Sequence, residues 1–162
     1  MLRVAISMAM AAGMALPVMA WPISPENAAK VLTRADSENV EVVWLDDEVA
    51  RIDAKLDSYN YSVRMMRCDE TKACSSVMFF AVFDMVGTPD LAMYEKTNLY
   101  NDNYPFGRAF ILPGSDDTSY SVGIDYSLDL SNEHNFDGED VVLFEDILTS
   151  YVSHMSEEAE SE

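Results

Sequence analysis

From Tyr120 to Leu130 the chain alternates between apolar and polar positions. Tyr120, Val122, Ile124, Tyr126, Leu128 and Leu130 fall on one side, and Ser121, Gly123, Asp125, Ser127 and Asp129 on the other. A period of two marks a strand with one buried face and one solvated face. Such a strand needs neighbours in a sheet and a second layer over its apolar side. Weaker versions of the pattern recur upstream. Val49 to Leu56 places Ala50, Ile52, Ala54 and Leu56 opposite Arg51, Asp53 and Lys55. Tyr59, Tyr61, Val63 and Met65 alternate with Ser62 and Arg64, Val40 to Leu45 is apolar and partly β-branched, and Gly107 to Leu112 runs into the turn signal Pro113-Gly114-Ser115-Asp116-Asp117. The run Ser76 to Phe83 is different. It is apolar on both faces, which predicts a central strand covered on both sides or nearly so.

Three segments carry helical signals. Ser24-Pro25-Glu26 supplies a cap, a first-turn proline and an acid at the positive helix end, and the helix is expected to reach Asp36 with Ala28, Val31, Leu32 and Ala35 on one face. Gly87-Thr88-Pro89-Asp90 opens a second helix, with Thr88 as the expected cap, ending near Asn101-Asp102-Asn103 ahead of Pro105. Gly138-Glu139-Asp140 opens a third, in which Val141, Phe144, Ile147, Leu148, Tyr151, Val152 and Met155 recur every three or four residues. The order is α-β-β-β(-β)-α-β-β-α: an α+β domain with an antiparallel sheet packed by helices. Expected boundaries are a leader at 1–20, the domain at 21–155 and an acidic, disordered tail at 156–162.

The leader follows from composition. Arg3 precedes an apolar run from Val4 to Ala20 that ends Val18-Met19-Ala20, the three-part pattern of a secretory signal peptide. Cleavage is expected before Trp21, leaving a periplasmic or secreted bacterial protein with no stable membrane insertion. The chain carries a net charge of −19, which repels phosphate backbones and anionic lipids and argues against nucleic-acid partners. In an exported chain the two cysteines, Cys68 and Cys74, read as a disulfide closing a short loop; a metal site or redox pair is the alternative.

Three segments together resemble the YbjN family. The first is Tyr61-Ser62-Val63 leading through Cys68 and Cys74 to Val77-Met78-Phe79-Phe80-Ala81-Val82-Phe83. The second is Asn98-Leu99-Tyr100-Asn101 followed by Phe106-Gly107-Arg108-Ala109. The third is Gly123 to Leu130 with the final helix. The resemblance covers most of residues 25–155. It implies a fold similar to that of type III secretion chaperones, with dimerisation, binding of an extended peptide or protein partner, and links to stress or sensory regulation. The export signal departs from that pattern, because a secretion chaperone works in the cytoplasm.

Candidate partner-binding residues are Asn98, Asn101 and Arg108. The two asparagines could bond a partner's backbone or close the helix locally. Arg108 could grip a carboxylate of a partner or pair with an acid across the sheet. Asp125, Asp129, Asp137, Glu139 and Asp140 offer oxygen ligands for Ca²⁺, but their spacing fits no calcium loop. There is no Gly-x-Ser-x-Gly, no phosphate-binding glycine loop and no His-Glu-x-x-His in the sequence. The expectation is therefore no enzyme, no cofactor and no metal, but a protein- or peptide-binding, chaperone-like or regulatory module. The alternatives are an envelope-stress or structural homo-oligomer and, with less support, a carboxylate- or metal-dependent hydrolase.

Overall fold

The structure is a computed structural model that describes residues 22–114, 118–132 and 134–157 of the 162. The expected leader and the acidic tail beyond 157 lie outside the described residues. The elements are α1 (Pro25–Arg34), β1 (Glu38–Trp44), β2 (Ala50–Leu56), β3 (Tyr59–Cys68), β4 (Cys74–Val86), α2 (Leu91–Asn103), β5 (Arg108–Pro113), β6 (Ser119–Asp129), a 3-10 turn (Leu130–Asn132) and α3 (Gly138–Ser156). The strands form one antiparallel sheet in the order β1-β2-β3-β4-β6-β5.

Local chemistry sets the helix ends. Ser24 accepts from the Asn27 amide and Pro25 takes the first helical turn. The second helix starts later than its sequence suggests: Asp90, not Thr88, is the cap, accepting from the Met93 amide at 2.9 Å. Thr88 and Pro89 stay outside the helix, and the Asp90 carboxylate takes the capping role one turn before Met93. In α3 the Asp137 side chain accepts from Glu139 while Asp140 reaches back to the Asp137 amide, so orphan donors at both ends of the first turn are satisfied.

One face of the sheet carries the core. Ile52, Val63, Met65, Val77, Phe79 and Ile124 are fully buried on it, beneath Leu32 of α1 and Phe144 and Leu148 of α3. Phe79 stacks on Phe144 with ring centroids 4.8 Å apart. Each such side chain contributes about 1.5–3 kcal/mol by leaving water. All three helices lie on this side, since α1 and α2 both pack against α3. Among the described residues no helix lies over the opposite face. β4 is central, as its sequence implies, but the described residues cover it on one side only: Val77, Phe79 and Ala81 are buried, whereas Met78 and Phe80 are half-buried and Val82 is 39% exposed.

At one end of the sheet Cys68 and Cys74 are register partners joined by a disulfide (S–S 2.04 Å). The Cys74 amide and carbonyl pair with Ile23 (2.9 and 3.2 Å), so the bridge also holds the segment entering α1. Between the cysteines Asp69 accepts from the Thr71 and Ala73 amides. The Thr71 hydroxyl first, and then those amide bonds, hold its carboxyl below the usual carboxylate range.

Candidate functional site

The uncovered face is built by odd-even alternation. Strand residues next to core positions in sequence must point away from the core, so Arg51, Asp53, Ser62, Arg64, Met78, Phe80, Val82, Arg108, Phe110, Leu112 and Asp125 share the open side. One row crosses five strands: Asp53, Ser62, Phe80, Asp125 and Arg108 are successive register partners. Its two ends are polar and bonded. Asp53 accepts from Ser62 Oγ at 2.7 Å and from Arg51 at 2.8 Å. Asp125 accepts from Arg108 at 2.6 and 3.2 Å.

The middle of the face is apolar and hollow. A shallow trough of about 350 Å³ is lined by Met78, Phe80, Val82, Phe110 and Leu112, with Arg64, Arg108 and Asp125 at its rim. A second hollow of about 330 Å³ continues past Phe80 and Val82 toward Asn60 and Asn39. Gly123 shapes the trough. A methyl group there would come within 2.5 Å of the Phe110 ring and 2.6 Å of the Ala81 carbonyl oxygen. The bare glycine lets that ring lie down across β6.

Charge on this face is not evenly satisfied. Of the sheet's four arginines, Arg51, Arg67 and Arg108 pair with Asp53, Asp129 and Asp125. Arg64 meets no carboxylate among the described residues; its guanidinium sits over the Phe80 ring at 5.5 Å. Its cross-strand neighbour in β2 is Arg51, so two cations stand directly opposite each other, an arrangement that costs stability.

The residues singled out from sequence separate here. Arg108 is the cross-strand partner of Asp125, which is only 7% exposed although alternation alone puts that aspartate on a solvated face. Asn101 bonds the chain's own backbone: its carboxamide accepts from the Ala109 amide at 2.7 Å and donates to the Ala109 carbonyl at 3.0 Å. Asn98 is exposed on α2, beside Leu91, Tyr94 and Leu99, and does not join the sheet-face cluster. Cys68 and Cys74 lie at the end of the sheet and form the bridge described above. The acidic residues considered for Ca²⁺ are dispersed: Asp125 faces Arg108, Asp129 faces Arg67 and Ser131, Asp137 caps α3, and Asp140 meets His134. Among the described residues no three His, Cys, Asp or Glu side chains gather as a metal would require.

Sequence reasoning missed Arg64, Phe80 and Phe110. The available signal was the double-sided apolar character of Val77 to Phe83, together with a glycine, Gly123, inside the most regular strand.

Among the described residues no helix is long and apolar enough to cross a membrane. A search of curated proteins finds no match. Among solved structures, the crystal structure of YbjN from E. coli aligns with a TM-score of 0.52 and 11% identity, covering 83% of this chain and 89% of that one. At that identity the likeness speaks for the fold, and the fold agrees. The sequence model of the family YbjN, described as "Putative bacterial sensory transduction regulator", matches residues 24–156. With the match spanning nearly all of the described chain, this protein belongs to the YbjN family.

Proposed function

We propose that the protein is a non-enzymatic binding module, chaperone-like or regulatory, that holds an extended segment of a partner protein against the open face of its sheet. The observation that carries this reading is β4. Its outward side chains Met78, Phe80 and Val82 are as apolar as a strand covered on both sides requires, yet among the described residues no helix covers them. An apolar stripe inside a polar rim is the usual form of a docking surface. Charge selects the occupant. In a chain of net charge −19, the rim of this trough presents Arg64 and Arg108 against the single carboxylate Asp125. A partner segment that brings apolar side chains and its own carboxylate is complementary, whereas a second copy of so acidic a chain meets general repulsion. The same overall charge disfavours nucleic acid, so regulation by this protein would run through protein contacts.

The trough is open and shallow, and the carboxylates near it are bonded to arginine or serine, which supports binding over hydrolysis. The leader-like residues 1–20 support a periplasmic or secreted setting.

Site-specific photo-crosslinking in the native host tests the proposal. A photoreactive residue at Ser121 or Ser127, on the open face, is expected to capture a defined segment of one partner, whose sequence mass spectrometry then reads. A probe at Thr149, on the exposed side of α3, is expected to capture none, and Phe80→Asp is expected to abolish the open-face product. Crosslinks equal from both faces, or only to further copies of this chain, would refute it.

A further inference from the structure

We infer that Arg64 is a carboxylate-recognition residue, and that the trough beside it selects extended peptides carrying an acidic side chain two residues from an apolar one. The inference rests on the open-face docking proposed above and names what that face reads. Two independent observations support it. First, Arg64 alone among the sheet's arginines lacks an acidic partner among the described residues, in a chain with 29 acidic residues. Folding has supplied carboxylates to Arg51, Arg67 and Arg108, whereas among the described residues this guanidinium meets only the Phe80 ring. Second, Arg64 stands opposite Arg51 in the register between β2 and β3. Like charges directly opposed destabilise a sheet, and a bound carboxylate would relieve that repulsion.

The spacing follows from strand geometry. The Arg64 guanidinium lies 5.5 Å from the centre of the Phe80 ring, and Phe80 opens onto the trough with Met78 and Phe110. In an extended peptide, residues i and i+2 project from the same side, about 6–7 Å apart. A carboxylate on Arg64 and an apolar side chain in the trough therefore fit one extended segment at a separation of two. At a separation of one, the two side chains point to opposite sides.

The test uses the folded protein and fluorescein-labelled, end-capped peptides read by anisotropy. The lead probe is Gly-Ser-Glu-Ser-Leu-Ser-Leu-Ser-Gly, with a Gln isostere of its Glu and an isomer that places Glu directly beside Leu. The Glu peptide is expected to bind about tenfold or more tightly than either control, the scale of one charge-assisted contact. Arg64→Ala is expected to erase that preference, Arg64→Lys to keep part of it, and Phe80→Ala to weaken all three peptides together; circular dichroism confirms that each variant is folded. Equal affinity for the Glu and Gln peptides, a preference that survives Arg64→Ala, or no measurable binding of any peptide overturns the inference. The open-face reading stands or falls separately, on whether the Ser121 and Ser127 crosslinks form.

Discussion

The carboxamide of Asn101 occupies the outer edge of β5 as a neighbouring strand would, accepting from the Ala109 amide at 2.7 Å and donating to its carbonyl at 3.0 Å. β5 ends the sheet, and an end strand presents unpaired backbone groups that invite pairing with another chain. One side chain from α2 removes both groups of Ala109 from that role. Asn101→Ala is expected to destabilise the fold by about 1–3 kcal/mol, the cost of leaving backbone groups unpaired. It is also expected to make association concentration-dependent, because the edge is then free. Asn101→Asp keeps the acceptor and loses the donor, so it should fall between the two. Urea melts and light scattering measure both effects. An alanine variant as stable and monodisperse as the native chain would show that the contact does not protect the edge.

The fit of Phe110 against Gly123 gives a second expectation. A methyl group at 123 meets both the ring and the Ala81 carbonyl oxygen at distances that side chains do not reach. Gly123→Ala should therefore cost about 1–3 kcal/mol, as overpacking does. Adding Phe110→Ala removes the ring but not the backbone oxygen, so the double variant should recover only part of the loss. Full recovery would mean that the backbone contact carries no weight.

These two relationships mark where the sequence stops being legible. The alternation of Tyr120 to Leu130 identifies β6 and its core face, because period two is a local property. Of the two readings open for Arg108, the structure shows the pairing across the sheet, but its partner, Asp125, depends on the register between β5 and β6, which no local pattern sets. That Asn101 meets Ala109 is a matter of how α2 docks beside β5, which no local pattern encodes. The open face is hidden for another reason: Met78, Phe80 and Val82 look the same in sequence whether a helix of this chain or a partner covers them. The late start of α2 at Leu91 is ambiguous locally, because Thr88 ahead of Pro89 and Asp90 are both favourable caps and no local pattern chooses between them.

The disulfide yields a third prediction. Removing both sulfurs with Cys68→Ala and Cys74→Ala should lower stability by about 2 kcal/mol, the chain-entropy cost for so short a loop. The effect should also be local. Cys74 exchanges two backbone bonds with Ile23, so hydrogen exchange at the Ile23 and Cys74 amides should rise well before that of β4's centre. Uniform loss of protection across the sheet would show that the bridge supports the whole domain and not its end.

The last prediction concerns the buried tyrosines beneath β4. Tyr100 and Tyr151 pack edge to face with ring centroids 5.4 Å apart, and both are fully buried. Burial raises the Tyr100 phenol from the ordinary 10.0 to about 12, with nearby Tyr104 adding to the shift. Burial raises Tyr151 further, with Tyr100 contributing. A phenol held neutral in this way binds its proton more tightly in the folded state than in the unfolded one. Its contribution is complete below the ordinary tyrosine range and is lost as pH rises from there through the raised values. Stability should therefore fall between about pH 10 and 12, with absorbance at 295 nm showing late-ionising tyrosines that appear together with unfolding. The two hydroxyls differ in their bonds. Tyr100 donates to the Ile147 carbonyl at 3.2 Å, whereas the buried Tyr151 hydroxyl has no partner among the described residues. At pH 7 Tyr100→Phe should cost about 1 kcal/mol, and Tyr151→Phe should be neutral or stabilise by about the same amount, since it removes a desolvated group that gains nothing in return. The Tyr151 variant should also unfold at higher pH than the native chain. If Tyr151→Phe proves the more damaging of the two in urea at pH 7, its hydroxyl is bonded in solution and this account of the cluster fails.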